Sequence, residues 1–204
     1  MKFRFGQCEI YLSPAFFMII TLLLLVDTTG QMPCIMLAVI THEFGHLLAM
    51  SLFKNFPRAI RLLPFAVDIE MNNSITMSPI QEVILHSAGI LCNLLNICIF
   101  INIYRVYQSE YFIILSAANA GIAIFNMLPI QSLDGLNIFF SLLQCLKISS
   151  EKAEKITSIV SVGVTVIMSF FGLWLTIKYY NPTMLLFCIY IFIITFLPKN
   201  KKHI

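Results

Sequence analysis

The sequence predicts an all-α polytopic membrane protein of about six transmembrane helices, with a small β-hairpin between the second and third helices and a break in the fourth. Of its 204 residues, 59% are hydrophobic and 11% are charged, whereas a soluble domain carries about 25% charged residues. The apolar residues form blocks long enough to cross a bilayer, which takes roughly 20 residues in a helix. Lys and Arg gather in alternate loops between these blocks, as expected of a chain that crosses a membrane repeatedly.

The predicted spans follow the apolar blocks in order. They comprise residues 14–26, 33–53, 80 to about 104, 111–146, 156 to about 177, and 183–197. The fourth block is too long for one crossing, and Pro129 and Gly135 interrupt it. We therefore expect a fourth span that breaks near residues 126–135 and continues as a helix to Leu146. Irregular backbone at membrane depth is tolerated only when it is buried in protein or lines a cavity, so the break also indicates a site.

Two polar segments outside the spans have strand-like patterns. Residues 3–13 mix polar and apolar side chains and predict a short strand at the membrane surface. Residues 65–71 alternate weakly, and we expect them to form a hairpin with residues 74–77.

The whole chain is interpreted as one membrane-embedded domain, with a retained first span rather than a cleaved signal peptide. No CBS or PDZ domain is expected. The domain comprises residues 1–204, with a core at about 33–146 and accessory spans at 14–26, 156–177 and 183–197.

The basic residues predict the orientation of the chain. All 13 Lys and Arg residues except Arg105 and Lys178 fall at the N-terminus, after span two, after span four or in the tail. Cytoplasmic loops carry an excess of Lys and Arg, so six spans with both termini in the cytoplasm fit this pattern. The prediction is a multi-pass integral membrane protein in contact with membrane lipid. The net charge of +3 is spread over several loops and forms no basic stripe, so no nucleic-acid partner is expected.

The six cysteines do not indicate a disulfide framework or a thiolate zinc site. None occurs in a CxxC pair, and most lie within apolar runs. We interpret them as small buried hydrophobic residues. Any metal site is therefore expected to use other side chains as ligands.

The second span carries two histidines and a glutamate in the segment His42-Glu43-Phe44-Gly45-His46. Side chains four residues apart lie on one face of a helix, a spacing that suits two ligands of a tetrahedral zinc ion. The glutamate after the first histidine can act as general base and pass its proton to the leaving amine. A short motif of this kind also arises by chance. A glutamate inside a span, however, costs several kcal/mol unless it has a partner or a function.

Catalytic zinc usually has three protein ligands, so a third side chain is needed. Among the ten acidic residues, only Glu43 and Asp134 fall well inside apolar runs. Counted from the cytoplasmic ends of spans two and four, His42, His46 and Asp134 reach similar depths, roughly 12–20 Å at about 1.5 Å per helical residue. Asp134 is therefore the predicted third ligand. The alternative is that Asp134 caps the helix that begins beyond Gly135.

Span three also contains polar side chains. Asn93 and Asn96 are expected to hydrogen-bond across helices, with a substrate backbone as the alternative partner. His86 is interpreted as an interfacial or locally hydrogen-bonded residue, with a functional role as the alternative.

Two segments together resemble the site-2 protease family of intramembrane metalloproteases. The first is HEFGH at residues 42–46, and the second is NMLPIQSLDG at residues 126–135. The family pattern is HExxH followed by NxxPxxxLDG, and both parts occur here in that order. LLPF at residues 62–65 and the pair Ala88-Gly89 further resemble the stage IV sporulation protein FB subgroup. The resemblance covers residues 33–146 well and the flanking spans by hydropathy.

The resemblance implies a site and a cofactor. One Zn²⁺ ion per chain would be bound by His42, His46 and Asp134, with Glu43 as the catalytic base. Asn126 and Pro129 would shape a substrate-binding break.

The resemblance also implies an activity, a location and partners. The family cleaves transmembrane or membrane-associated proteins, here near the cytoplasmic side of a bacterial cell membrane. The subgroup processes a sigma-factor precursor during sporulation, and regulatory membrane partners hold it inactive. Leu136 after the LDG motif, Ala66-Val67 after Pro-Phe and the expected lack of a CBS domain depart from that subgroup. Two other functions stay open: a catalytically inactive zinc-binding membrane partner protein, and a non-proteolytic zinc hydrolase of the membrane.

Overall fold

The structure is a computed structural model that describes residues 2–5, 8–63, 66–71 and 77–179, with residues 185 and 189 beyond them. The chain divides into two compact units, Met1–Asn126 and Met127–Ile204. The described part is mostly helical and has one four-stranded β-sheet, which belongs to the first unit.

The first unit contains four of the described strands and four of the described helices. The strands are β1 (Lys2–Phe5), β2 (Cys8–Leu12), β3 (Pro57–Leu63) and β4 (Ala66–Met71). The helices are α1 (Pro14–Val26), α2 (Met32–Leu52), α3 (Pro79–Tyr107) and α4 (Glu110–Met127), the last of which ends one residue into the second unit. A proline occupies the first turn of α1, α2 and α3, where its missing N–H is not needed.

The sheet joins the N-terminal segment to the segment after α2. Its strand order is β1-β2-β3-β4, with two antiparallel outer pairs and a parallel β2–β3 pair between them. Parallel strands need a long crossover connection, which α1 and α2 provide here. The segments before α1 and after α2 therefore lie beside each other.

The small hairpin expected between spans two and three is confirmed as the antiparallel pair β3 and β4, but its bounds and the first strand prediction need correction. Residues 3–13 form an antiparallel pair, β1 and β2, rather than a single strand. The strand expected at 65–71 is present as β4, but its observed partner is the preceding strand β3. Residues 72–76 of the predicted hairpin lie outside the described residues, and Met77 is not in a strand. The term all-α is also too narrow, because a four-stranded sheet accompanies the helices.

Small residues let α2 and α3 approach each other closely. A Cβ atom added to Gly45 of α2 would lie 2.6 Å from the carbonyl oxygen of Ala88 and 2.9 Å from Cα of Gly89, both on α3. Contacts between small residues are a common means of helix association in membranes. This helix pair carries most of the side chains of the candidate site.

A capping box sets the start of α3. The Gln81 backbone N–H donates to Ser78 Oγ at 3.4 Å, and the Ser78 N–H donates to Gln81 Oε1 at 2.8 Å. These bonds satisfy donors that the first turn of a helix otherwise leaves unpaired. At the other end Gln108 adopts a left-handed conformation with φ 51° and closes the helix.

The second unit contains an irregular segment, residues 128–133, and the described helices α5 (Asp134–Cys145) and α6 (Ser150–Tyr179). The Gln131 backbone N–H donates to Ser161 Oγ of α6 at 2.8 Å. Ile130 is fully buried, and Ser132 has a positive φ of 73°, a conformation that residues other than glycine rarely adopt. The break expected near residues 126–135 is thus present, and part of its backbone is satisfied by protein, as membrane depth requires.

Four of the described helices are long and apolar enough to cross a membrane: α2, α3, α4 and α6. They correspond to the spans expected at 33–53, 80–104, the first part of 111–146, and 156–177. Helix α1 is apolar but has 13 residues, fewer than the roughly 20 that a helical crossing takes. The span expected at 183–197 lies outside the described residues, apart from residues 185 and 189. The count of six spans stays a prediction.

Candidate metal centre

His42 and His46 lie on the buried face of α2 with their imidazole rings against each other. The ring centroids are 4.8 Å apart, and the ring planes meet at 81°. The two Nε2 atoms lie 3.2 Å apart, and both side chains are buried. Residues four apart share one face of a helix, which places both rings against α3.

Each Nδ1 atom faces an acceptor, so the neutral tautomer that these contacts favour carries its hydrogen on Nδ1. His46 Nδ1 lies 2.9 Å from the carbonyl oxygen of Leu85, which can only accept, so His46 Nδ1 carries the hydrogen. His42 Nδ1 lies 2.6 Å from Asn93 Oδ1. The Asn93 amide nitrogen donates to the Ala38 carbonyl at 3.0 Å, which identifies the atom facing His42 as the oxygen. A neutral imidazole carries one N–H, so both Nε2 atoms present lone pairs.

This arrangement fits a bound cation. The His42 and His46 Nε2 atoms lie 3.2 Å apart. Two nitrogens that bind one tetrahedral zinc ion at about 2.1 Å would lie about 3.4 Å apart, close to the observed separation. Metal-bound histidines commonly donate their other N–H to a carbonyl or carboxylate oxygen, and both histidines have such a partner.

Two further ionisable side chains lie near the histidine pair. Glu43 follows His42 on α2 and is half-buried. Successive helical residues are rotated by about 100°, so Glu43 lies beside the helix face that carries the two rings. This is the position expected of a group that acts on a water molecule bound to the metal. His86 on α3 is half-buried, with its ring centroid 6.4 Å from that of His46.

Asp134 is the first residue of α5 in the second unit, and it is half-buried. The N-cap position belongs to Leu133, whose side chain makes no capping hydrogen bond, and the role of Asp134 as ligand or cap stays a prediction. A carboxylate in the first turn of a helix is favoured by the positive end of the helix dipole. His42, His46 and Asp134 are side chains that could bind a metal ion.

A solved structure has a fold similar to that of this chain. The Site-2 Protease from Methanocaldococcus jannaschii matches with a TM-score of 0.70, at 20% sequence identity, over 96% of this chain and 93% of that chain. The chain has the site-2 protease fold. The fold that the resemblance implies is therefore confirmed, while the count of six spans and the sporulation subgroup stay predictions.

A family model described as Peptidase family M50 matches residues 101–170. The match includes the broken segment and Asp134 but begins after the HEFGH segment. The histidine geometry and the family match are thus independent observations, because they concern different residues. No curated protein sequence matches the chain.

Asn126 and Pro129, the expected substrate-binding residues, lie at the end of α4 and in the irregular segment that follows. The Asn126 side-chain amide donates to the Ile122 carbonyl at 3.1 Å, within its own helix. Both residues are half-buried. Their role in binding a substrate stays a prediction.

Asn119 of α4 is a residue of the site's surroundings that the sequence analysis missed. It is fully buried, and its Oδ1 atom accepts from the Asn93 amide at 2.9 Å and the Asn96 amide at 3.2 Å. Asn93 and Asn96 do hydrogen-bond across helices, as expected. The signal for Asn119 was its polarity inside an apolar helix, where an amide needs a partner.

Proposed function

We propose that this protein is an intramembrane zinc metalloprotease of the site-2 protease family, Peptidase family M50. The observation that carries the proposal is the pair of His42 and His46 Nε2 atoms, 3.2 Å apart on a buried helix face, in a chain with the site-2 protease fold. The four long apolar helices support an integral membrane protein.

In this proposal His42, His46 and Asp134 bind one zinc ion per chain. Two histidines and one carboxylate are a common ligand set of zinc hydrolases. When bound, the ion would supply Lewis acidity that activates water and polarises the carbonyl of a peptide bond. Ferrous iron also accepts two histidines and a carboxylate, so the metal has to be identified by measurement.

Glu43 is the proposed general base. Its carboxylate accepts a proton from the attacking water, and it returns a proton to the nitrogen of the leaving amine. The half-buried carboxylate stands next to His42 in the chain, which supports this role. Asn126 and Pro129 would hold a locally unwound substrate beside the break, because the peptide bonds of an intact helix are shielded.

The substrate would be a transmembrane or membrane-associated protein that is cleaved near the cytoplasmic side. The basic residues after α2, Lys54 and Arg58, support a cytoplasmic position for that end of the helix. The sporulation resemblance favours a bacterial cell membrane, a sigma-factor precursor as the substrate and regulatory membrane partners. These finer assignments rest on the resemblance alone.

The test uses the full chain, purified in detergent and reconstituted with a single-span reporter that carries Gly and Pro in its transmembrane segment. Wild type should contain zinc and cleave the reporter, whereas Glu43→Gln should keep the zinc and lose at least about 10²–10⁴-fold in rate, the usual contribution of a general base. Co-expression with the sigma-factor precursor repeats the comparison on the proposed substrate. Equal cleavage by both proteins would remove Glu43 from its role.

The same preparations separate the alternatives. A chain that binds zinc but cleaves neither reporter nor precursor would support an inactive zinc-binding partner protein, and turnover of small ester or amide substrates alone would support a non-proteolytic hydrolase. Asp134→Ala tests the third ligand and should lower the zinc content of the purified protein. Unchanged zinc content in Asp134→Ala would show that another residue completes the site.

A further inference from the structure

We propose that Asn93 is a positioning residue that fixes the hydrogen of His42 on Nδ1 and so keeps Nε2 available to the metal. The proposal rests on the proposed function, because it concerns a ligand of the same zinc site. Asn93 is fully buried on α3, and its Oδ1 atom lies 2.6 Å from His42 Nδ1.

The orientation of the Asn93 side chain is determined by its other contacts. Its amide nitrogen donates one hydrogen to the Ala38 carbonyl at 3.0 Å and the other to Asn119 Oδ1 at 2.9 Å. A flipped amide would place its oxygen against two acceptors and its nitrogen against His42. The buried contacts therefore present the oxygen to His42, and a carbonyl-type oxygen can only accept.

Asn119 is held in turn by the backbone of its own helix. Its amide nitrogen donates to the Leu115 carbonyl at 2.8 Å, which directs its Oδ1 atom towards Asn93. The result is a chain of hydrogen bonds from α4 through Asn93 on α3 to His42 on α2. Each member is buried, where an unmade hydrogen bond costs more than at the surface.

The two histidines differ in how their hydrogen is fixed. His46 is fixed by the Leu85 backbone carbonyl, which substitution of a side chain cannot remove. His42 depends on a side chain, so its tautomer can be changed by one substitution. Without an acceptor at Nδ1, the hydrogen of His42 can move to Nε2, and a protonated Nε2 cannot bind a metal ion.

The test measures the zinc affinity of the full chain in detergent by competition with a chromogenic chelator. Asn93→Leu has a similar size but no acceptor, and its affinity should fall about 10–100-fold, the usual effect of removing such a partner from a ligand. Asn102→Leu is the matched control on the same helix, because Asn102 is exposed and its amide donates to the Cys98 carbonyl. This control should keep the wild-type affinity.

Asn93→Asp separates positioning from packing. The aspartate can still accept from His42 Nδ1, but it cannot donate to Ala38 or Asn119. A positioning role predicts that Asn93→Asp binds zinc more tightly than Asn93→Leu, whereas a purely structural role predicts that it is at least as impaired. An affinity for Asn93→Asp equal to or below that of Asn93→Leu would overturn the proposal.

Two further outcomes are distinguishable. Wild type that binds no zinc contradicts the proposed function itself, whereas wild type and Asn93→Leu with equal affinity contradict only the role of Asn93. If Asn93→Leu is not recovered as a folded helical protein, Asn119→Leu takes its place, because it removes the anchor of Asn93 without touching His42. Its zinc affinity should also fall below that of Asn102→Leu, and an affinity equal to the control contradicts the proposal.

Discussion

A Cβ atom added to Gly89 would lie 2.5 Å from Nε2 of His46. It would also lie 2.8 Å from Nε2 of His42, so the absent side chain of Gly89 leaves space next to both proposed ligand atoms. Real Cβ atoms do not approach other atoms this closely, and one of the partners would have to move. Gly89 is therefore part of the wall of the site as well as of the contact between α2 and α3.

Gly89→Ala should impair metal binding. We expect the zinc affinity to fall by about 10–100-fold, as it does when the groups that orient ligands are changed, because the new methyl group displaces one or both imidazoles. Gly121→Ala on α4 is the matched control, since a Cβ atom there meets nothing within 4 Å. Chelator competition on both proteins provides the measurement, and equal affinities would show that the rings can adjust at no cost.

The helices were predictable from the sequence because a helix that crosses the hydrocarbon core of a membrane needs a long run of apolar residues. The expected spans 33–53, 80–104 and 156–177 are observed as α2, α3 and α6, with differences of a few residues at most ends. Those differences come from terminal signals that hydropathy does not contain, such as the capping box of Ser78 and Gln81. The charged first turn of α6 also extends beyond its apolar core.

The pairing of the strands was not predictable by the same means. The parallel contact of β2 with β3 joins segments that are separated by two helices, and local alternation contains no information about such a partner. The hydrogen-bond chain through Asn119 is also non-local, because it depends on how α3 and α4 lie against each other. The proposed ligands were easier to find, since His42 and His46 are polar residues inside apolar sequence.

Gly135→Ala should destabilise the second unit. A Cβ atom there would lie within 2.5 Å of the carbonyl oxygens of Met127 and Leu128, which are backbone atoms at the end of α4 and cannot turn away. We expect a loss of about 1–3 kcal/mol, the usual cost of overpacking, seen as a lower midpoint of thermal unfolding in detergent.

Gly163→Ala on α6 is the control for that substitution. Its Cβ atom would meet nothing within 4 Å, and alanine in a helix is favoured over glycine by about 1 kcal/mol. The control should therefore unfold at the same or a higher temperature than wild type. Equal midpoints for Gly135→Ala and wild type would contradict the tight contact at the break.

Asp27 makes the turn between α1 and α2 sensitive to acid. Its Oδ2 atom accepts from the Met32 backbone N–H at 2.8 Å, and its Oδ1 atom accepts from the backbone N–H and the hydroxyl of Thr29 at 3.1 and 2.8 Å. The hydrogen bond from Met32, followed by those from Thr29, lowers the pKa of the Asp27 carboxyl from its ordinary value of 3.8. The ionised form is thus favoured in the folded protein.

A lowered pKa contributes stability that is fully present above the ordinary value and is lost as the pH falls through the folded-state value. Asp27→Asn removes this contribution, so the unfolding midpoint of wild type should exceed that of Asp27→Asn at neutral pH. The difference should shrink once the pH falls below about 3.8. Thr29→Val keeps the bond from Met32 and should show a smaller difference with the same pH dependence. A difference between wild type and Asp27→Asn that stays constant from neutral pH to pH 3 would show that the carboxylate charge does not stabilise this turn.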